Sequence, residues 1–440
     1  MKVVPFPSSS AHGGSTHASV PSIIAALDIG STKICCLIGS IDGRRRRAVD
    51  ETVPQIKVIG AGHCRSQGVN GGAITDLDDA ERALRTAIDQ AERMAGRTIS
   101  DVYVNMSGGR TLSVHVAGQA VLGHQAVDEA AKRRAAVNAM SKVETGGRAV
   151  LHASVIQYRL DGARGVREPA GMHGSTLTAE MNVVLADPHA ITNLGILLER
   201  CHLDAVGFVV APYAAARSVL LADEMELGVA VIELGGGTTS YAVFNEGMLA
   251  HADMVPVGSH HVTTDIARGL NTTIAHAERV KTLWGSTVPA QLDERELITC
   301  PILGETGSDA VQSIPRSMIC GVVRPRMEEI FEIIRDRLDE VPTARNFVRR
   351  VVLTGGGGQL NGVEQLAGEI LGRRVRVANP SRFDGLPDAL STPGFCVATG
   401  LLRYGLIPDE QAANLGALIA GAGHDSSYFR RVGQWLKESF

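Results

Sequence analysis

The stretch Ile23-Ile-Ala-Ala-Leu-Asp-Ile-Gly-Ser-Thr-Lys33 is an apolar run that ends in an acidic residue and a glycine turn, and it continues directly into a second apolar run, Ile34 to Ile38. This order predicts strand, turn and strand, a hairpin rather than a strand feeding a helix. The same layout recurs far downstream. Val229-Ala-Val-Ile-Glu-Leu-Gly-Gly-Gly-Thr-Thr239 leads into Tyr241 to Phe244. A third apolar run, Val351-Val-Leu-Thr-Gly-Gly-Gly-Gly358, is followed instead by a helical pattern through Asn361-Gly-Val-Glu-Gln-Leu-Ala367. One glycine turn is only a tight turn, whereas a duplicated hairpin with a third loop is a specific combination.

Glycine lets backbone N–H groups approach an anion without a Cβ in the way, and successive N–H groups form a phosphate-binding nest. Ser31, Thr32, Thr238 and Thr239 add hydroxyl donors. Asp28 and Glu233, each at a strand end beside its turn, are placed to hold a hydrated Mg²⁺ that bridges phosphates. The predicted site therefore has two facing jaws. A Walker P-loop opens a helix after G-x-x-x-x-G-K-[ST], whereas Gly30-Ser-Thr-Lys33 opens a strand. A Rossmann fingerprint also needs a strand-to-helix turn, with a ribose-binding acid downstream.

The chain has 440 residues, 44% hydrophobic and 20% charged, enough to bury a full core and to form two or more subdomains. No uninterrupted apolar run reaches spanning length, and residues 1–21 offer Ser, His, Gly and Pro where a signal peptide needs an apolar stretch. They are expected to be a disordered arm on a cytosolic protein. Seven scattered cysteines without a C-x-x-C pair read as small buried hydrophobes rather than a disulfide framework. A formal net charge of −4 gives no electrostatic case for nucleic acid. The single dense basic run, Arg44 to Arg47, reads as a solvated hairpin loop.

The chain ends in Ser426-Ser-Tyr-Phe-Arg-Arg-Val-Gly-Gln-Trp-Leu-Lys-Glu-Ser-Phe440. Wound as a helix, Tyr428, Phe429, Val432, Trp435, Leu436 and Phe440 share an arc of roughly 140°, opposite Arg430, Arg431, Gln434, Lys437 and Glu438. An aromatic face backed by three cations suits a membrane interface with anionic headgroups, and the segment is too short and too charged to span. The alternative is a terminal helix packed on the protein's own surface. The loose Ala- and Gly-rich stretch before it favours a tether.

The two hairpin jaws and the third loop resemble the actin-like ATPase superfamily of actin, Hsp70 and sugar kinases, an α/β fold in which two related halves clamp a nucleotide. Within it, Ile99-Ser-Asp-Val-Tyr-Val-Asn-Met-Ser-Gly-Gly109, Ala222-Asp-Glu-Met-Glu-Leu-Gly-Val229, Val257-Gly-Ser-His-His-Val-Thr-Thr-Asp-Ile266, Ala277-Glu-Arg-Val-Lys281, Val323-Arg-Pro-Arg-Met-Glu-Glu-Ile330 and Phe395-Cys-Val-Ala-Thr-Gly-Leu-Leu-Arg-Tyr404 resemble the FtsA family of bacterial cell-division proteins. The resemblance covers roughly residues 22 to 405, and the amphipathic terminus also belongs to that pattern.

The resemblance implies a two-lobed actin-like fold. Its first-lobe core takes residues 22–99, with about 186–226 and 376–405, and 100–185 form an inserted small α+β subdomain. Residues 227–262 and 325–375 form the second-lobe core, 263–324 its insert, 406–425 a linker and 426–440 the amphipathic membrane helix. It implies ATP and Mg²⁺ as ligands. Asp28, Gly30, Ser31, Thr32 and Lys33 would face the phosphates from one jaw, and Gly235, Gly236, Gly237, Thr238 and Thr239 from the other. Glu278 and Lys281 would meet the ribose and adenine, with Gly355, Gly356, Gly357 and Gly358 forming the adenosine loop. Asp28 and Glu233 would hold the metal through water.

Partners implied by the resemblance are the C-terminal tail of FtsZ, further copies of this chain in filaments, anionic lipids and other division proteins. They imply the cytoplasmic side of the bacterial inner membrane at the septum. The FtsZ tail would dock near 263–324, where Arg268, Arg279, Arg295 and Arg316 can meet an acidic peptide. Two departures from the pattern, Glu233 and Ser240 where many relatives carry Asp, alter metal and water geometry, so the expectation is at most a weak ATPase. The alternatives are an actin-fold sugar kinase, for which no sugar-activating aspartate is evident, and a pilus-assembly actin homologue, whose relatives lack the terminal helix.

Overall fold

A computed structural model describes residues 23–42, 55–123, 125–289, 295–305 and 311–406. The expected N-terminal arm, the Arg44 to Arg47 run and the terminal segment expected to form an amphipathic membrane helix lie outside the described residues. The described residues divide into two compact units, Leu112–Pro188 and, together, the segments ending at Thr111 and spanning His189–Leu406.

The larger unit contains two five-stranded sheets with one topology. In the first, Ile23–Ile29, Lys33–Asp42 and Gln55–Arg65 form an antiparallel meander, and Asp101–Met106 and then Asp204–Val210 extend it in parallel from the other side of the first strand. In the second, Val229–Leu234, Thr239–Asn245 and Met248–Val255 form the meander, extended in parallel by Arg350–Thr354 and Arg374–Val377. The duplication reaches single residues: Asp28 lies opposite Cys35, and Glu233 opposite Ser240. Val229–Leu234 is buried along its whole length, as expected of a central strand covered on both faces.

A long helix spans Leu77–Ala95. Asp76 caps its start by accepting from the Asp79 N–H at 2.9 Å, and Gly96 ends it in the left-handed region at φ 63°. Its buried stripe of Ala80, Leu84, Ala87, Ile88 and Ala91 rests on Gln55–Arg65. It can rest so close because a Cβ on Gly62 would lie 2.1 Å from the Ala87 carbonyl oxygen. Helices Ala211–Val219 and Cys396–Leu406 cross just as tightly at Gly400 and are pinned by a 2.8 Å hydrogen bond between the buried hydroxyls of Ser218 and Thr399.

The smaller unit is a four-stranded antiparallel sheet in which Thr176–Ala186 pairs with Leu112–Val121 on one side and Ala149–Leu160 on the other, with Ala163–Val166 outermost. Helix Glu129–Met140 packs on it through Ala131, Ala135, Ala136, Ala139 and Met140, a small-residue face that brings helix and sheet together. On the edge strand Leu112–Val121, the Ala117 carbonyl accepts from Lys142 Nζ at 2.7 Å and the Gln119 carbonyl from Asn138 Nδ2 at 2.6 Å.

Three expected limits differ from the elements observed. The insert begins at Leu112 rather than residue 100, because Asp101–Met106 is paired into the first five-stranded sheet. The limits at 263 and 324 fall inside the continuous helices Ser259–Gly269 and Arg316–Glu340, whose buried residues share one core with the second sheet. Of the seven cysteines, all are free thiols and all but the half-buried Cys64 are buried, as small hydrophobes should be.

A Cβ on Gly400 would lie 1.7 Å from the Ala214 carbonyl oxygen, closer than any atom can approach. Gly400→Val should therefore force these helices apart and destabilise the larger unit by at least about 2 kcal/mol. The check is the denaturant midpoint against the parent, with an unchanged midpoint refuting the close crossing.

A two-jawed anion cradle

The two glycine turns close on each other. A Cβ on Gly236 would sit 2.3 Å from Thr32 Cγ2, and one on Gly237 would sit 2.5 Å from Ser31 Oγ. Backbone N–H groups of the second jaw's neighbour hold it in place: Ser259 N donates to the Gly235 carbonyl at 2.9 Å and His260 N to the Gly236 carbonyl at 2.7 Å. These bonds come from the start of helix Ser259–Gly269, so the turn is anchored to a rigid element. A second contact steadies the first jaw, where the Gly72 N–H donates to Ser31 Oγ at 2.9 Å.

Around this meeting point lies a cavity of about 450 Å³. Asp28, Gly30, Ser31, Thr32 and Lys33 line it from the first jaw, and Glu233, Gly235, Gly236, Gly237 and Thr238 from the second. Glu278, Lys281, Gly356 and Gly357 complete the predicted set. Three predicted residues take other places. Thr239 is fully buried and its hydroxyl donates to the Val257 carbonyl at 2.7 Å, because neighbouring strand residues alternate in direction and Thr238 takes the cavity side. Gly355 and Gly358 do not line the cavity. Gly355, at φ 83°, makes the bend that brings the third loop against Leu234, where a Cβ would lie 2.6 Å from its carbonyl oxygen.

Several lining residues carry no signal in the local pattern. Ser107, Gln359, Thr392, Gly394 and Phe395 reach the cavity from strand ends and connections. Lys33 lies over the Phe395 ring, with Nζ 4.2 Å from its centroid. Phe395 in turn meets the His63 ring edge-on at 5.5 Å.

Glu278 and Lys281, expected to share a target, are joined to each other at 2.8 Å. Lys281 is 8% exposed and donates also to Thr263 Oγ1 at 2.8 Å and the Ser259 carbonyl at 3.2 Å. It is thus a built-in cation and not an arm in solvent. Burial alone would raise Glu278, but Lys281 and the Thr263 hydroxyl hold its carboxyl below the usual range.

Asp28 and Glu233 lie buried beneath the turns. Burial pushes Asp28 up to about 6, with Lys33 pulling the other way. Burial and then the nearby Asp28 push Glu233 up to about 7, opposed by the Ser240 hydroxyl, which donates to Oε2 at 3.1 Å, and by Lys33. Two neighbouring buried oxygen donors of this kind fit a hard divalent cation. Two carboxylates leave most of a six-oxygen shell to phosphate and water, as is usual for Mg²⁺. Ser240 already serves Glu233, so an aspartate there would set two carboxylates against each other.

Of the four arginines expected to meet a partner, Arg268, Arg279 and Arg295 are exposed on separate elements. Arg316 is engaged at 2.9 Å with Glu296. Leu297, Leu303, Val311 and Met318 are exposed on the same hairpin Leu297–Pro301/Val311–Pro315 and its flanks.

Duplicated meanders whose turns meet over paired carboxylates define an actin-like fold, and solved structures agree. The chain is similar to the PilM-PilN type IV pilus biogenesis complex with a TM-score of 0.58 at 17% identity, covering 87% of this chain and 98% of that one. It is similar to MreB5 of Spiroplasma citri bound to ADP with a TM-score of 0.50 at 15% identity, covering 92% and 100%. Curated relatives narrow the class. The chain is 42% identical over 442 residues to Cell division protein FtsA of Agrobacterium fabrum, covering 97% of this chain and 99% of the relative. It is 31% identical to that of Pseudomonas aeruginosa, covering 96% and 100%. The family described as Cell division protein FtsA matches residues 230–400, and the SHS2 domain inserted in FTSA matches 108–185, close to the smaller unit. The chain belongs to the FtsA family of cell division proteins.

A raised carboxyl means the folded protein holds its proton more tightly than the unfolded chain, so stability falls as pH climbs from the ordinary glutamate range through about 7. Glu233→Gln cannot ionise, so its ligand-free melting midpoint should fall less than the parent's between pH 5 and 8, a difference worth up to about 3 kcal/mol. Parallel falls would mean that Glu233 does not ionise in a buried site.

Proposed function

We propose that this chain is an ATP-binding actin-fold adaptor of cell division, which polymerises at the cytoplasmic face of the bacterial inner membrane and anchors the FtsZ ring at the septum. The observation that carries the nucleotide is the direct apposition of the jaws over Asp28 and Glu233 in one cavity. Backbone N–H groups and the hydroxyls of Ser31, Thr32 and Thr238 suit phosphate oxygens, and the two carboxylates suit the Mg²⁺ that accompanies them. The distant fold neighbour MreB5 of Spiroplasma citri is bound to ADP, which supports the same use of the fold here. With Ser240, hydrogen-bonded to Glu233, standing where a further carboxylate could place an attacking water, hydrolysis is expected to be slow.

The membrane reading rests on the terminal sequence. Each of Arg430, Arg431 and Lys437 adds about 1 kcal/mol near an anionic surface, and the aromatic face adds burial. Gly433 weakens the isolated helix, so it folds on lipid. One copy binds weakly and salt-sensitively, while a filament displays many and gains avidity. The FtsZ tail, later division proteins and the septal location are carried by family membership. For the tail, the exposed apolar residues Leu297, Leu303, Val311 and Met318 and the exposed cations Arg268, Arg279 and Arg295 are the candidate contacts.

Gly236→Val places a branched side chain against Thr32 and should abolish ATP binding without unfolding the protein, measured by equilibrium titration of the soluble variant. Lys281→Ala should weaken binding by less. Retained parental affinity in folded Gly236→Val would remove the jaws from the site.

Trp435→Glu should release the full chain from anionic vesicles while leaving ATP affinity untouched, and ATP should tighten vesicle binding of the parent. Co-pelleting of parent and Trp435→Glu to the same extent would refute the anchor.

A further inference from the structure

We propose that Asn105 and Ser107 are two further working residues of this site, Asn105 as a positioning residue that fixes the Asp28 carboxylate and Ser107 as an additional hydroxyl donor to the phosphates. The proposal rests on the nucleotide-binding reading. Asn105 lies in Asp101–Met106, the strand that runs parallel beside Ile23–Ile29 with Leu27 opposite Val104. The next step along both strands sets Asn105 beside Asp28. It is 1% exposed, and a buried primary amide must find partners for one acceptor and two N–H groups.

Asn105 finds all three at the base of the first jaw. Its Oδ1 accepts from the Ile29 N–H at 2.7 Å, and its Nδ2 donates to Asp28 Oδ1 at 2.8 Å and to Ser107 Oγ at 2.6 Å. With one oxygen of Asp28 held in this way, the carboxylate's orientation is set before any cation arrives, leaving Oδ2 to a metal or its water. The bond to Ser107 has its own consequence. The Ser107 oxygen accepts, so its hydroxyl hydrogen remains to be donated, and Ser107 lines the cavity beside Asp28 and Ser31. A hydroxyl so oriented is a donor suited to a phosphate oxygen.

The second jaw lacks this device. Thr354, the parallel neighbour of Glu233, turns its hydroxyl to the carbonyls of Ala378 and Pro393, and Glu233 is steadied by the single hydroxyl of Ser240. Symmetric in backbone, the clamp is asymmetric in how firmly its two carboxylates are held.

Full-length parent, Asn105→Ala and Ser107→Ala are titrated with a fluorescent ATP analogue, once in Mg²⁺ and once in EDTA. Asn105→Ala should weaken binding about tenfold in Mg²⁺ and less than twofold in EDTA, because it acts through the metal carboxylate. Ser107→Ala should weaken binding to a similar degree in both conditions, up to about tenfold, because its donor meets phosphate directly. In the ligand-free protein, the Ile29 amide should exchange faster in Asn105→Ala. Should that variant fail to fold, Asn105→Ser, which keeps a polar group in the buried site, gives the same Mg²⁺-selective loss. Equal losses in Mg²⁺ and EDTA, or none, overturn the positioning role, and parental affinity in Ser107→Ala overturns the donor role. A parent that binds no ATP in either condition refutes the nucleotide reading instead, and Ile29 exchange then still reports whether Asn105 holds the jaw.

Discussion

Two turns from distant parts of the chain must meet with no side chain between them. Gly236 and Gly237 come so near Thr32 and Ser31 that the contact exists only because those positions lack a Cβ. The two sheets are arranged to deliver their hairpins to that point, and the paired carboxylates, the third loop and the start of helix Ser259–Gly269 are all placed relative to it. If the turns stood apart, Asp28 and Glu233 would belong to two separate surfaces.

Holding these groups together strains the ligand-free protein. Two buried carboxylates near one lysine are poorly solvated, and each keeps its proton beyond the ordinary range. A divalent cation arriving with phosphate, as proposed above, would reverse that penalty, so the feature that weakens the empty site would favour a filled one. Lys281 works in the opposite sense. Already neutralised by Glu278 and bonded to Thr263 and Ser259, it keeps its part of the cavity wall in shape.

Much of this was legible in the sequence because the hairpin repeat is local. A strand, an acid and a glycine turn can be read within a dozen residues, and the repeat places Asp28 and Glu233 in equivalent positions. Local reading failed where pairing or direction decides. Thr238 and Thr239 look alike in sequence, yet strand alternation lets only one face the cavity. Asp101–Met106 follows a family-like motif and reads as the start of an insert, whereas its hydrogen bonds assign it to the first sheet. Asn105, Ser107, Thr392 and Phe395 reach the site through sheet pairing and returning connections, which no spacing rule records. The partner expectations rest on the family resemblance and the membrane expectation on the pattern of the terminal sequence.

The edge strand Leu112–Val121 bears on a different hazard. A bare edge invites another chain to add a strand, and sheet growth of that kind does not readily reverse. Here the Ala117 and Gln119 carbonyls are already occupied by Lys142 and Asn138, so an incoming strand would have to displace two side-chain donors first. Such a closed edge opposes amyloid-like fusion wherever the local concentration of the chain is high.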